Sequence, residues 1–169
     1  MVTSTSHSPA DTAALGEQWG RAASSGLVIG LTGELGAGKT QFVKGLARGL
    51  GIPAGVHSPT FVLVNVYTGG RLTLFHLDLY RLDTPAQIAA AGLEEYLRPA
   101  GVTVIEWSER WLDPLQSTKP QVPIQPAPHP QALAPAHASR ITHHALFKRV
   151  WIEILSETER RLTYEDPCP

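Results

Sequence analysis

The run Gly33-Glu34-Leu35-Gly36-Ala37-Gly38-Lys39-Thr40 constrains this chain more than any other stretch. It fits G-x-x-x-x-G-K-[ST] without gaps. The apolar run before it, Gly26 to Thr32 (GLVIGLT), reads as a buried strand. In the following QFVKGLARGLG, Phe42, Val43, Leu46 and Leu50 recur at helical spacing, and Gly51-Ile52-Pro53 stops the helix. Such a loop turns successive backbone N–H groups inward, where they cradle phosphate oxygens. The helix starting beneath it adds unpaired N–H groups and a positive dipole end. Lys39 is placed to reach the β and γ phosphates, and the Thr40 hydroxyl to ligate Mg2+. A dinucleotide fingerprint needs G-x-G-x-x-G. The order here is G-x-x-G-x-G, and a lysine would crowd a pyrophosphate-only site. The expectation is therefore a nucleoside triphosphate, bound on an α/β scaffold.

A phosphate cradle needs acids to hold the cation and orient a nucleophile. Ligands of open α/β sheets gather at the carboxyl ends of the strands. Two acids stand there: Asp78, near the end of LTLFHLDL, and Glu106, closing VTVIE. FVLVNVY (61–67) and residues 71–79 are β-rich runs separated by Thr68-Gly69-Gly70, which reads as a hairpin. His57-Ser58-Pro59-Thr60-Phe61 leads into it. There Pro59 keeps Ser58 out of the helical region, and the loop is a candidate γ-phosphate switch. A helix is expected from Asp11 or Thr12 to Arg21, another over 85–97, and a terminal β-hairpin over 148–165, with residues 1–10 loose.

Composition narrows the function classes. Fourteen Lys plus Arg against 15 Asp plus Glu give a net charge of −1, which excludes a strongly basic nucleic-acid coat and a polybasic membrane binder. No apolar run approaches the roughly 20 residues of a membrane span, and no secretory leader is visible. One cysteine, Cys168, forms no intrachain disulfide and no zinc cluster, and reads as an inert thiol. A cytoplasmic protein without membrane contact is expected. Residues 113–139 hold seven of the 14 prolines and read as a flexible insert in a single domain spanning 1–169. His129, His137, His143 and His144 are too scattered for a compact metal site.

Taken together, GELGAGKT, HSPTF, HLDLYRL and EWSER at these intervals resemble the TsaE (YjeE) family of bacterial tRNA threonylcarbamoyladenosine biosynthesis. The resemblance covers about residues 9–112 and resumes over 148–165. It implies a P-loop NTPase-like three-layer fold with a mostly parallel central sheet, two β-hairpins and the Pro-rich insert as a departure. It further implies weak ATPase activity with ATP and Mg2+, and partnership with TsaD and TsaB-like proteins. Those partners act on tRNA, which this chain would meet only through the complex. Carried residue by residue, the resemblance puts nucleotide binding on Gly33, Glu34, Leu35, Gly36, Ala37, Gly38, Lys39, Thr40 and Gln41. It puts the metal on Thr40 and Glu106, and a catalytic or switch role on Asp78 and Thr60. It sets Thr12 and Arg161 near the adenine, and Trp107 near the nucleotide or a partner.

Two other function classes compete with a partner-dependent ATPase. A small-metabolite kinase would need several lid arginines around the transferring group, and residues 82–139 supply only Arg98 and Arg110. A nucleotide-dependent binding module without turnover would have little use for Asp78 and Glu106.

Overall fold

The computed structural model describes residues 1–53, 55–112 and 146–164. Seven strands form one sheet: β1 (Val2–Ser6), β2 (Leu27–Thr32), β3 (Val64–Tyr67), β4 (Leu74–Asp78), β5 (Val102–Glu106), β6 (Leu146–Ile154) and β7 (Arg160–Tyr164). Their order is β1-β7-β6-β2-β5-β4-β3. The four central strands β6, β2, β5 and β4 run parallel, while β3 pairs antiparallel to β4, β7 to β6 and β1 to β7. The expected α/β fold, the 61–79 hairpin and the terminal hairpin are all present. The Pro-rich 113–139 stretch with His129 and His137, then His143 and His144, and Cys168 lie outside the described residues.

The helices lie on both faces of the sheet. On β2, Leu27, Ile29 and Leu31 join a core with Phe42, Val43 and Leu46 of α2 (Lys39–Gly49), whereas Val28 joins Leu77, Ile88, Leu93 and Ile105 on the opposite face. This is the period-2 alternation of a strand covered on both sides. Each fully buried Leu, Ile or Phe contributes about 1.5–3 kcal/mol from leaving water. The other face carries α3 (Pro85–Ala90), a 3-10 helix (Leu93–Leu97) and the short α4 (Glu109–Leu112).

The helix α1 (Pro9–Ala22) lies against α2 at unusually close range. A Cβ on Gly16 would run into the Phe42 carbonyl, and one on Gly45 into that of Ala13. Small residues at the crossing thus let the two backbones touch, and this contact seats α2 under the glycine-rich loop.

Three expectations need correcting. Residues 2–6 are not loose: they form β1, an edge strand completing the sheet against β7. The cap of α1 is Ser8, whose Oγ accepts from Asp11 N at 3.2 Å, rather than Asp11 or Thr12. A side-chain cap of this kind contributes about 1 kcal/mol. The 85–97 helix is broken in two, because Gly92 takes φ 66, a left-handed conformation that ends α3.

Candidate functional site

A cavity of about 850 Å³ opens at the carboxyl ends of β2, β4 and β5. Its floor is the glycine-rich loop. Gly38 caps α2 at φ 106, a conformation that glycine adopts without steric cost, and no side chain occupies the helix's first amides. Leu35, Gly36, Ala37, Gly38, Lys39, Thr40 and Gln41 all line the cavity, while Gly33 and Glu34 anchor the loop behind it. The loop amides and the helix start together form the kind of cradle that can hold an anion.

Lys39 is 5% exposed, yet charged groups surround it. Its Nζ donates to the carbonyls of Gly33 at 2.8 Å and Glu34 at 2.9 Å, and rests 3.7 Å from the centre of the Trp107 ring. Burial holds its pKa below the usual lysine value, while the carboxylates of Glu106, Glu109 and Asp78 pull the other way. Trp107 itself takes φ 62, rare for a bulky residue. That turn at the end of β5 brings its ring to 5.2 Å from Tyr80 and sets both residues in the cavity wall.

Across the loop from Lys39, Thr40 Oγ1 donates to Glu106 Oε1 at 2.9 Å. Glu106 is 3% exposed, on the last residue of β5, and its Oε1 is also 2.9 Å from His76 Nε2 on the neighbouring β4. A hydroxyl beside a carboxylate is a donor set that fits a hard divalent cation, with further oxygens left to phosphate and water. Thr40 and Glu106 are thus brought together as the residues that could hold Mg2+.

Asp78 ends β4 one strand away, paired in register with Glu106. Its Oδ2 accepts from Ser58 Oγ at 2.5 Å and Thr60 Oγ1 at 2.7 Å, and its Oδ1 from Tyr80 N at 2.9 Å. The 57–63 loop therefore hangs on Asp78. It also turns on Pro59, whose carbonyl accepts from Val62 N and Leu63 N, with Leu63 at φ 66. This turn occupies positions 61–63, so the strand expected from Phe61 begins only at Val64. Ser58, Thr60 and Asp78 line the cavity, and the carboxylate is available to orient a nucleophilic water.

The far wall comes from the chain's two ends. His7, Ser8, Pro9 and Thr12 meet Glu157, Thr158 and Arg160 of the β6–β7 hairpin there. Thr12 is buried, 2.8 Å from Ser6 Oγ, and stands beside Gly38. His7 Nδ1 contacts Glu159 Oε1 at 2.9 Å, joining the two segments. Arg161 is not in this wall: it pairs with Glu153 on the exposed side of the hairpin, at 3.0 Å. Its neighbour Arg160 lines the cavity instead, with Nη2 3.4 Å from the Gly36 carbonyl. Sequence reasoning missed Arg160 and His76. Strand alternation on β7 could have pointed to Arg160 once the register was known, since Leu162 and Tyr164 on its face are buried. For His76 the sequence carries no comparable signal.

One further acid lies next to this site. Glu109 starts α4, and burial raises its pKa, opposed by hydrogen bonds from its own backbone and from Thr32 and by the charges of Lys39 and Arg110. Its Oε2 is buried without a hydrogen-bond partner among the described residues. Arg110 is turned away from the cavity, toward the carbonyls of Tyr80 and Leu82 and the Asp83 carboxylate. No described helix is long and apolar enough to cross a membrane.

Known proteins resemble this chain in sequence and architecture. The profile of the family described as threonylcarbamoyl adenosine biosynthesis protein TsaE matches residues 6–131. The tRNA threonylcarbamoyladenosine biosynthesis protein TsaE of Treponema pallidum is 51% identical over 105 residues, which is 62% of this chain and 77% of that protein. The protein of the same name from Bacillus subtilis is 40% identical over 119 residues, 70% of this chain and 74% of that one. The crystal structure of YdiB from Bacillus subtilis superposes with a TM-score of 0.64 at 27% identity, covering 96% of this chain and 83% of that one. With its glycine-rich loop, strand-end acids and sheet order thus accompanied by a profile match over most of its length, the chain belongs to the TsaE family of threonylcarbamoyl adenosine biosynthesis proteins.

Proposed function

We propose that this protein binds Mg-ATP in the cavity above the glycine-rich loop and hydrolyses it slowly. We further propose that this turnover drives threonylcarbamoyl modification of the tRNA adenosine beside the anticodon, in concert with TsaD and TsaB. The observation that carries the reading is the 2.9 Å contact between Thr40 and Glu106, because it couples the first turn of the phosphate-binding helix to an acid on the adjacent strand end. That pair supports a nucleotide site built around a cation over a bare anion cradle. Family membership supports the pathway; the names TsaD and TsaB come from the resemblance of the GELGAGKT, HSPTF, HLDLYRL and EWSER motifs.

In this reading the loop amides of residues 35–40 bind the phosphates. Lys39 exchanges its contacts with the Gly33 and Glu34 carbonyls for β and γ oxygens, so its charge is already desolvated and aimed. Thr40 and Glu106 would hold Mg2+, which when bound would supply neutralisation of the phosphate charge. Asp78 accepts a hydrogen bond from the attacking water, whose oxygen bonds to the γ phosphorus as the bond to the ADP oxygen breaks. Ser58 and Thr60 hold that carboxylate and tie the 57–63 loop to it. Thr12 and Arg160, which line the cavity, are the residues this reading sets toward the nucleoside. Arg110, one of the two arginines in 82–139, is engaged in bracing 80–83. A partner is therefore the expected source of a finger arginine, worth ~10³–10⁵ in rate. The threonylcarbamoyl transfer itself belongs to the partners.

The test is a reconstituted reaction with TsaD, TsaB, threonylcarbamoyl-adenylate and tRNA. Multiple turnovers should require this protein and ATP hydrolysis. Equal turnover when it is replaced by the Asp78→Ala variant, or fast hydrolysis by the isolated chain, contradicts the coupling. Stoichiometric phosphorylation of a member of a metabolite panel would instead establish a kinase.

A further inference from the structure

We infer that His76 is a positioning residue for the cation site: its Nε2–H fixes the Glu106 carboxylate in the orientation that binds Mg2+. The inference rests on the proposal that Thr40 and Glu106 hold the metal, and concerns a side chain that proposal does not use.

His76 lies on β4, two residues before Asp78, and is fully buried. Strand alternation puts Leu74, His76 and Asp78 on the sheet face that α2 covers, and Val102, Val104 and Glu106 of β5 on the same face. Val104 is the register partner of His76, so the ring reaches diagonally along the sheet to Glu106. A histidine so placed is costly to keep in an apolar layer unless it has a polar task. It meets one acceptor, Glu106 Oε1, at 2.9 Å. That same oxygen receives the Thr40 hydroxyl, also at 2.9 Å. Two donors therefore converge on one carboxylate oxygen, which pins the group's rotation and leaves its other oxygen uncommitted to them.

The second ring nitrogen favours the tautomer with hydrogen on Nε2. Nδ1 is buried with no hydrogen-bond partner among the described residues. A proton there would be an unsatisfied buried donor, whereas a bare lone pair costs less. Hydrogen on Nε2 satisfies the Glu106 contact, and a bare Nδ1 avoids that unsatisfied donor. The nearby Tyr67 ring, 6.5 Å away at 33°, offers the ring a packing surface rather than a polar partner. Metal-binding carboxylates are commonly held by such outer hydrogen bonds, and losing one typically lowers metal affinity 10–100-fold.

The test uses the full chain with saturating ADP and Mn2+ as the probe, followed by electron paramagnetic resonance. His76→Leu should raise the Mn2+ concentration for half-occupancy 10–100-fold, while ADP affinity without metal stays within about threefold. His76→Gln returns an N–H donor at comparable reach and should recover most of the loss, which a merely space-filling histidine would not predict. Nitrogen NMR on the unsubstituted protein should find His76 protonated on Nε2 and bare on Nδ1; this readout stands even if His76→Leu does not fold. Mn2+ affinity within twofold of the parent for His76→Leu, or a proton on Nδ1 in place of Nε2, overturns the inference and leaves the metal site standing. A parent protein whose ADP complex takes up no Mn2+ overturns both.

Discussion

The two walls of the cavity above the glycine-rich loop are built differently. The wall of β2, the glycine-rich loop, α2 and Glu106 is embedded in the sheet: Ile29, Leu31, Phe42 and Leu46 beneath it are fully buried, and α1 clamps α2 from outside. The opposite wall, residues 57–63, reaches Asp78 through two hydroxyls and exposes Phe61 at 82% and Val62 at 63%. Pro59 is buried, but Phe61 and Val62 bury little, apart from the Arg81 guanidinium 4.2 Å over the Phe61 ring. Segments with few buried contacts open at low free-energy cost. The embedded wall is suited to holding phosphates in a fixed frame, and the hydroxyl-tethered wall to responding to what is bound.

The largest expected effect breaks the responsive wall at its anchor. Asp78→Asn keeps the shape and removes the charge that, in the proposed reaction, accepts from the water. Hydrolysis measured with the partners present should fall by about 10²–10⁴-fold, the usual range for losing a positioned base. A fall of less than threefold would place the base elsewhere. The embedded wall is broken most directly at the helix crossing. Gly45→Val forces a Cβ into the Ala13 carbonyl, and denaturant unfolding should show a loss of about 3 kcal/mol. A variant that unfolds at the parent midpoint would mean that α1 does not clamp α2.

The difference between the walls also explains what could be read from the residues alone. GELGAGKT is contiguous, so its strand–loop–helix context was visible without tertiary knowledge. Asp78 and Glu106 followed from their places at strand ends. Long-range facts were hidden. Val2–Ser6 is a short, Ser/Thr-rich segment without apolar alternation, and becomes a strand only because β7 offers it an edge. Arg160 and Arg161 differ by one residue, and a one-residue change of register swaps which one faces the cavity. His76 sits in an apolar run whose pattern says strand and nothing more. Gly92 broke a helix that the apolar spacing of 85–97 suggested was continuous.

Smaller effects sharpen the contrast. Ser58→Ala removes one of two hydroxyls from Asp78 and should cost about 1 kcal/mol of loop anchoring. Amide hydrogen exchange should accelerate within 57–63 and stay unchanged in α2; equal acceleration in both would show the walls move as one. The smallest effect concerns Glu109. Its pKa in the folded chain lies above the ordinary value of 4.5 because of burial, so the folded state holds its proton more tightly than the unfolded chain. Stability from this group is therefore complete below about 4.5 and lost as pH rises through the folded value. Glu109→Gln should consequently gain stability relative to the parent at pH 7 and not at pH 4, seen as a shift in thermal midpoint. A midpoint difference that does not change with pH would contradict the burial account.

The central claim is that one wall binds and the other acts. The most direct measurement is calorimetric titration of Mg-ATP into Lys39→Ala and Asp78→Asn side by side with the parent chain. Losing a charge-assisted phosphate contact of roughly 1.5–3 kcal/mol should weaken Lys39→Ala by about ten- to a hundredfold, while Asp78→Asn stays within about threefold of the parent. Equal losses in the two variants, or unchanged affinity in Lys39→Ala, would contradict the division between the walls.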